Sequence, residues 1–220
     1  MSSSDTTTTS SYSYLEISAS TNGSTTLSYS DFVGFMGSNL WPDTDVVELT
    51  LTGFKVIPDN FFSYIADNFN NTANNNLNIL NITGTKEITI GKGAFYKSNL
   101  VTVSFPPAAK IVIDDGAFCY CSYLQSINLE NVTSIGRFAF YYNMCLCDVN
   151  LTGLDTSDVD NLGNGAFYNC ASLGIVAISP VFFSKTHRSG GSNLIYEVDV
   201  DAFKYYGWDY VYSSTNTVPD

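Results

Sequence analysis

The chain is poor in positive charge. Nine Lys and Arg stand against twenty-one Asp and Glu in 220 residues, a formal net charge of −12, and no Lys/Arg run offsets that total. Affinity for phosphate comes mostly from Lys and Arg, so duplex nucleic acid and anionic membrane surfaces are excluded as partners. Long apolar runs are missing too. No stretch approaches the ~20 residues that span a bilayer, which argues against membrane insertion. The opening "MSSSDTTTTSSYSY" has neither the positive nor the apolar region of a secretory signal. Histidine occurs once, as His187 beside Gly190 and Gly191. A Ser-His-Asp or Cys-His device needs an imidazole held between two partners, and this one reads as a solvated loop residue.

What the chain does have is a phrase it repeats. "GAFYKSNL" (93–100), "GAFCYCSYL" (116–124), "FAFYYNMCL" (138–146) and "GAFYNCASL" (165–173) share Ala-Phe and a closing Leu. The anchor residues Phe95, Phe118, Phe140 and Phe167 are 23, 22 and 27 residues apart. An aliphatic residue stands five positions before each: Ile90, Ile113, Ile135 and Leu162. Ile57 and Phe62 form a degenerate earlier copy. Each closing Leu opens a short alternating run: "LVTVSF", "LQSINL", "LCDVNL" and "LGIVAI", with "VVELTL" and "LNILNI" in the same mould upstream.

Alternation of period two is the signature of a strand with one buried face. A strand this short must pair with its neighbours, and a repeat that always returns to the same strand stacks those strands in parallel. The expectation is a solenoid: one parallel β-strand per turn, short irregular or helical return segments, and a cap at each end. Ala-Phe becomes the core plug of each turn, with Ala small enough for neighbouring coils to approach and Phe stacked into a spine. "LTG" and "ITG" end strands on a glycine suited to the turn.

The unit I-G-x-G-A-F-x-x-C-x-x-L-x-x-[IV]-x-[IL] resembles the BspA-type leucine-rich repeat of surface and adhesion proteins from gut and oral anaerobes. "SIGRFAFYYNMCLCDVNL" and "NLGNGAFYNCASLGIVAI" carry the likeness most closely, and "IYEVDVDAFKYYGWDYVY" (195–212) resembles the segment that closes such arrays. The resemblance implies an adhesive or ligand-binding role on a horseshoe of strands, without catalysis. The organisation that follows is a disordered tail at 1–10, an N-terminal cap at 11–45, repeats at 46–183, a linker at 184–193 and a C-terminal cap segment at 194–220. Phe32, Phe35, Met36 and Leu40 fall at helical spacing in the first cap. Two insertions interrupt the period: the Asn-rich "SYIADNFNNTANNN" (63–76) and "LDTSDVD" (154–160).

Chemistry-bearing residues are few. Cys119, Cys121, Cys145, Cys147 and Cys170 include two C-x-C pairs, but no His neighbours them. Cys121 and Cys170 share the position three after the anchor with Ser98 and Asn143, so that position wants a small polar group. The five are read as buried free thiols. Asp155, Asp158 and Asp160 have a calcium-like composition without the glycine and distal Glu of an EF-hand loop, and read as a solvated rim. Asp114 and Asp115 lie in no apolar cleft that the sequence defines. No catalytic residue, metal or cofactor is assigned.

The binding expectation falls on outward strand positions. Thr102, Ser126 and Asp148 share one column and Ser104, Asn128 and Asn150 the next, short amides and hydroxyls at strand spacing. They alternate with buried Ile127, Leu129, Val149 and Leu151, so replacing them should spare the core. Tyr96, Tyr141 and Tyr168 follow their anchors directly and offer contact area with a polar tip. The function expected is recognition or adhesion, with a protein or glycan partner, outside the cell or at its surface. The alternative is a structural or host-attachment protein of a virion from a phage of gut bacteria.

Overall fold

The structure, a computed structural model, describes residues 8–9, 12–19, 25–28, 46–62, 77–155, 157–158, 161–178 and 212–213. The helix expected at 30–40, the Asn-rich insertion, His187 and the linker at 184–193 lie outside the described residues.

The alternating runs form strands where the period places them. From the N-terminus these are β1 (Thr8–Thr9), β2 (Tyr12–Ser18), β3 (Val46–Thr52), β4 (Val56–Ile57), β5 (Ile79–Thr83), β6 (Glu87–Ile90), β7 (Thr102–Ser104), β8 (Lys110–Ile113), β9 (Ser126–Ile127), β10 (Val132–Ile135), β11 (Asp148–Leu151), β12 (Ile175–Ile178) and β13 (Tyr212–Ser213). Their ladders define a solenoid. One sheet runs β1-β2-β3-β5-β7-β9, a second β10-β8-β6-β4, and a third β11-β12-β13. Every pairing is parallel except β1 with β2.

The coils that begin with β3, β5, β7 and β9 thus each have a second short strand in the return segment, β4, β6, β8 and β10. The return segment carries its own alternation, as in "EITI" and "KIVI", which turns Ile88, Ile90, Ile111 and Ile113 inward. The aliphatic column five before each anchor is the register of this second wall: Ile57 pairs with Ile90, Ile90 with Ile113, and Ile113 with Ile135. A single bridge from Ile135 to Leu162 extends it. The segment expected to cap the N-terminus adds β2 to the first wall, and the C-terminal segment adds β13 beside β12.

The repeated phrase makes the third wall, from turns. The amides of Phe95, Phe118 and Phe140 donate to the carbonyls of Ala117, Ala139 and Ala166 in the next coil, at 2.7–2.8 Å. Two residues either side, the same thing happens: Gly93 to Asp115, Lys97 to Cys119, Tyr120 to Tyr141, Tyr142 to Tyr168. Alanine, the smallest side chain with a Cβ, recurs where these backbones meet. Ala94, Ala117, Ala139 and Ala166 are fully buried.

Inside the three walls the phenylalanines stack. Ring centroids are 5.3 Å apart from Phe95 to Phe118, 5.5 Å from Phe118 to Phe140 and 5.0 Å from Phe140 to Phe167, with planes within 8°. At the first copy the amide of Phe62 keeps the anchor's register by donating to Ala94, but it is Phe61 that meets Phe95, edge-on at 6.1 Å.

Candidate binding surfaces

The outward face of the first sheet is largely engaged with itself. Asn81 donates to Glu48 at 2.7 Å, and Ser104 donates to Asn81 Oδ1 at 2.7 Å. Thr52 donates to Glu16 at 3.1 Å and shares a 2.9 Å bond with Thr83. Short polar side chains at strand spacing satisfy one another before any partner arrives.

That face is also interrupted at the middle of the expected site. Register carries Thr102 beside Ser126, and Asp148 beside Ile175, but among the described residues β9 and β11 share no ladder. On the other side of β9, Asn128 continues the β7–β9 ladder past its last main-chain pair, Val103 with Ile127. Its Oδ1 accepts from the Phe105 amide at 2.7 Å and its Nδ2 donates to the Phe105 carbonyl at 3.1 Å. The expectation that Asn128 can be replaced without cost is therefore corrected: the side chain acts as backbone. Asn150, in the same column, instead accepts from the amide and hydroxyl of Thr152. Thr102, Ser104 and Ser126 end up on one sheet with Asn128 just past its last strand, and Asp148 and Asn150 on another, with Ser126, Asp148 and Asn150 exposed.

The turn wall is different in kind. Among the described residues the exposed large apolar side chains are Tyr96, Tyr120, Tyr123, Phe138, Tyr142 and Met144, and all six fall within the repeated phrase. Tyr96, Tyr120, Phe138 and Tyr142 form a connected aromatic surface with Tyr141 and Tyr168 of the predicted column. Tyr96 meets Tyr120 edge-on at 5.9 Å, and Tyr120 meets Tyr141 at 5.3 Å. Tyr120 stacks on Tyr142 at 5.2 Å and Tyr141 on Tyr168 at 5.6 Å, while Phe138 reaches Tyr141 at 5.7 Å. Partial desolvation among these rings, with Tyr141 adding to it, raises the Tyr120 hydroxyl above its usual pKa.

Backbone geometry makes this surface costly to maintain. The phrase demands a left-handed residue two before and two after each anchor. Gly93, Gly116 and Gly165 fill the first position, and Phe138 stands there instead in the third copy with φ 56°. The second position holds Lys97, Tyr120, Tyr142 and Asn169, at φ between 57° and 64°. Bulky L-residues lose about 1–2 kcal/mol in this region. Three exposed aromatics thus occupy positions where glycine or asparagine would be easier. Strain retained on exposed side chains points to use rather than stability. Tyr120, Phe138 and Tyr142 were missed in the sequence, although Phe138 in a glycine slot was the visible signal.

The remaining chemistry is structural. Cys121 donates to the Phe95 carbonyl, Asn143 to that of Phe118, and Cys170 to that of Phe140, each at 3.1 Å. The position three after the anchor wants a small donor aimed at the preceding coil, which explains its tolerance of Ser, Cys and Asn. Ser98 begins the file with a 3.1 Å bond shared with Cys121. Burial pushes the Cys121 and Cys170 thiols up to about 12 and Cys119 to about 11. Cys145 and Cys147 depart from the expectation of burial: the first is half-buried and the second exposed. Asp59 and Asp115 accept the amides of Lys92 and Arg137 in the next coil, each at 2.8 Å. Asp114 beside them is raised by desolvation, then by the charges of Asp59 and Asp115. Asp155 accepts from the Ser157 amide, an ordinary turn contact, and Asp160 lies outside the described residues. Among the described residues no three His, Cys, Asp or Glu side chains are grouped to hold a metal, and no helix is long and apolar enough to cross a membrane.

Parallel coils, a phenylalanine spine and a stacked array of buried leucines define a leucine-rich-repeat solenoid. The chain belongs to the BspA type leucine rich repeat region family, whose profile matches six copies over residues 51–174 and 88–202. Comparison with curated proteins and with solved structures returns no match. Repeats of this class generally mediate protein interactions.

Proposed function

We propose that this chain is a non-catalytic recognition and adhesion module that binds a protein or glycan partner at a cell surface, with the aromatic turn wall as its leading contact. The observation that carries this reading is that, among the described residues, the exposed large apolar side chains all fall in the phrase, three of them in left-handed conformations. Contiguous exposed aromatic surface is unusual on a chain with no partner, and tyrosine supplies contact area at low entropic cost. The sheet face, with its polar groups bonded to each other, serves as the rigid support.

The test compares two double variants on an array of immobilised glycans and extracellular protein domains. Tyr120→Ser with Tyr142→Ser should lose binding at an unchanged or higher melting temperature. Ser126→Lys with Asn150→Lys, on the sheet face, should retain it. The opposite outcome would place the site on the sheet and sink the reading.

A further inference from the structure

Asn-x-Ser or Asn-x-Thr triads without a central proline stand at Asn22-Gly23-Ser24, Asn70-Asn71-Thr72, Asn81-Ile82-Thr83, Asn131-Val132-Thr133 and Asn150-Leu151-Thr152. Such a triad is the acceptor of N-linked glycosyl transfer, in which the side-chain nitrogen of Asn takes a sugar. The triad alone does not rank them. The structure describes the last three and separates them. Asn81 and Asn131 are engaged with a neighbouring coil. Asn81 Nδ2 donates to Glu48 at 2.7 Å and to Thr50 at 3.4 Å, while its Oδ1 accepts from Ser104. Asn131 Nδ2 donates to the Pro107 carbonyl. Their threonines are engaged as well, Thr83 with Thr52 and Thr133 with the Ile111 carbonyl. Both asparagines are half-buried.

Asn150 is the opposite case. Asp148, Asn150 and Thr152 are exposed, while Val149 and Leu151 between them are buried. Strand alternation sets Asp148 and Asn150 on one face, and Thr152 folds back onto Asn150 from the turn that follows β11. The Thr152 hydroxyl donates to Asn150 Oδ1 at 2.7 Å and the Thr152 amide to the same oxygen at 3.1 Å. A main-chain amide only donates, so it fixes which side-chain atom is the oxygen. Both Nδ2 protons are left without a partner among the described residues. Two donors on the oxygen draw charge towards it and make an Nδ2 proton easier to remove. The segment is also held loosely. Among the described residues β11 pairs with β12 on one edge and shares no ladder with β9 on the other. Asp148 finally sets a carboxylate two residues before the acceptor, where Ile79 precedes Asn81 and Leu129 precedes Asn131.

We infer that Asn150 is a glycan attachment site, its Nδ2 taking an oligosaccharide from a polyprenyl pyrophosphate donor on an oligosaccharyltransferase. The bond from Nδ2 to the sugar C1 forms. The C1–O bond to the pyrophosphate breaks, its electron pair leaving on the pyrophosphate, and one Nδ2 proton passes to a base of the transferase. The sugar then stands on the strand face beside the edge of β11 that has no ladder, where a bulky hydrophilic group discourages edge-to-edge association.

The experiment incubates the purified folded chain with a polyprenyl pyrophosphate oligosaccharide, divalent metal and a single-chain bacterial oligosaccharyltransferase, a form that also reads the preceding carboxylate. The free peptide Asp-Val-Asn-Leu-Thr confirms that the enzyme is active. Peptide mass mapping should find sugar on Asn150 at least tenfold above Asn81 and Asn131, and Asn150→Gln should remove it. Ile79→Asp sets the fold against the local sequence by giving Asn81 the carboxylate that precedes Asn150. With a melting curve showing that variant folded, Asn81 should still carry at least tenfold less sugar than Asn150. Equal sugar on Asn81 in that variant overturns the inference. So does an unmodified Asn150, or equal modification of all three in the parent chain. An unmodified Asn150 would leave the recognition reading standing, and a turn wall that fails on the array would leave this site standing.

Discussion

Phe140→Ala is the sharpest test of the spine. The Phe140 ring is fully buried and sandwiched, 5.5 Å from Phe118 and 5.0 Å from Phe167. Truncating a buried phenylalanine costs about 3–5 kcal/mol through lost transfer energy and the cavity left behind. Two stacked partners, each worth about 0.5–1.5 kcal/mol beyond burial, favour the upper half of that range. For a chain of this size about 1 kcal/mol moves the melting temperature by roughly 2–4 °C, so a fall of about 6–20 °C is expected. The location adds a second effect. Among the described residues, between the coils of β9 and β11 the first wall has no ladder, and the second has the bridge from Ile135 to Leu162 and a 3.0 Å bond from the Asp155 amide to the Thr133 carbonyl. Coupling there rests largely on the turn wall and the spine, and stability in a solenoid is close to a sum of neighbour terms. Removing Phe140 should therefore broaden or split the unfolding transition as well as lower it. The control is Phe138→Gly, two residues away. It removes an exposed ring but relieves a left-handed backbone at φ 56°, so its melting temperature should stay near that of the parent. Urea titration and calorimetry of both variants decide the matter. A Phe140→Ala loss below about 1 kcal/mol, or one equal to that of Phe138→Gly, would refute the spine.

The buried thiols make an alkaline prediction. Cys121 and Cys170 keep their protons to about 12 in the folded chain, against an ordinary value of 9.0. Between those values the folded state binds more protons, so stability is full below about pH 9 and falls as pH rises, by about 1.4 kcal/mol per unit per thiol. Urea unfolding at pH 8 and pH 10 should show it, and a flatter profile in Cys121→Ser with Cys170→Ser would assign it; an identical slope in that variant would be contrary. Iodoacetamide on the native chain should modify Cys147 well before Cys119, Cys121 or Cys170, as peptide mass mapping would report. Asn128→Ala should cost about 1–3 kcal/mol through two lost bonds to the Phe105 backbone, whereas Asn150→Ala should cost less than 1 kcal/mol. Equal costs would show that Asn128 does not continue the ladder.

The coil, the spine and the register of the columns were legible in the sequence, because each depends on how often an apolar residue recurs, and that period is a local property. Ile90, Ile113 and Ile135 stand in one sequence column and pair in one ladder. Membership of the repeat family was legible for the same reason: iterated Ala-Phe leaves little freedom in how the coils stack. Tertiary structure alone decided what the polar and aromatic residues do. Asn128 and Asn150 occupy one column, yet the first bonds across coils to Phe105 and the second bonds within its own turn. The difference is where the main-chain ladder ends, which no residue announces. Tyr120 and Tyr142 fall at the same phrase position but their meeting depends on two left-handed residues in different coils, 22 positions apart in the chain. The direction of a side chain leaving a tight turn follows the sign of φ, and its neighbours come from the coil stacked alongside. Periodicity therefore specified the scaffold, and only the stacking of coils assembled the surface that it carries.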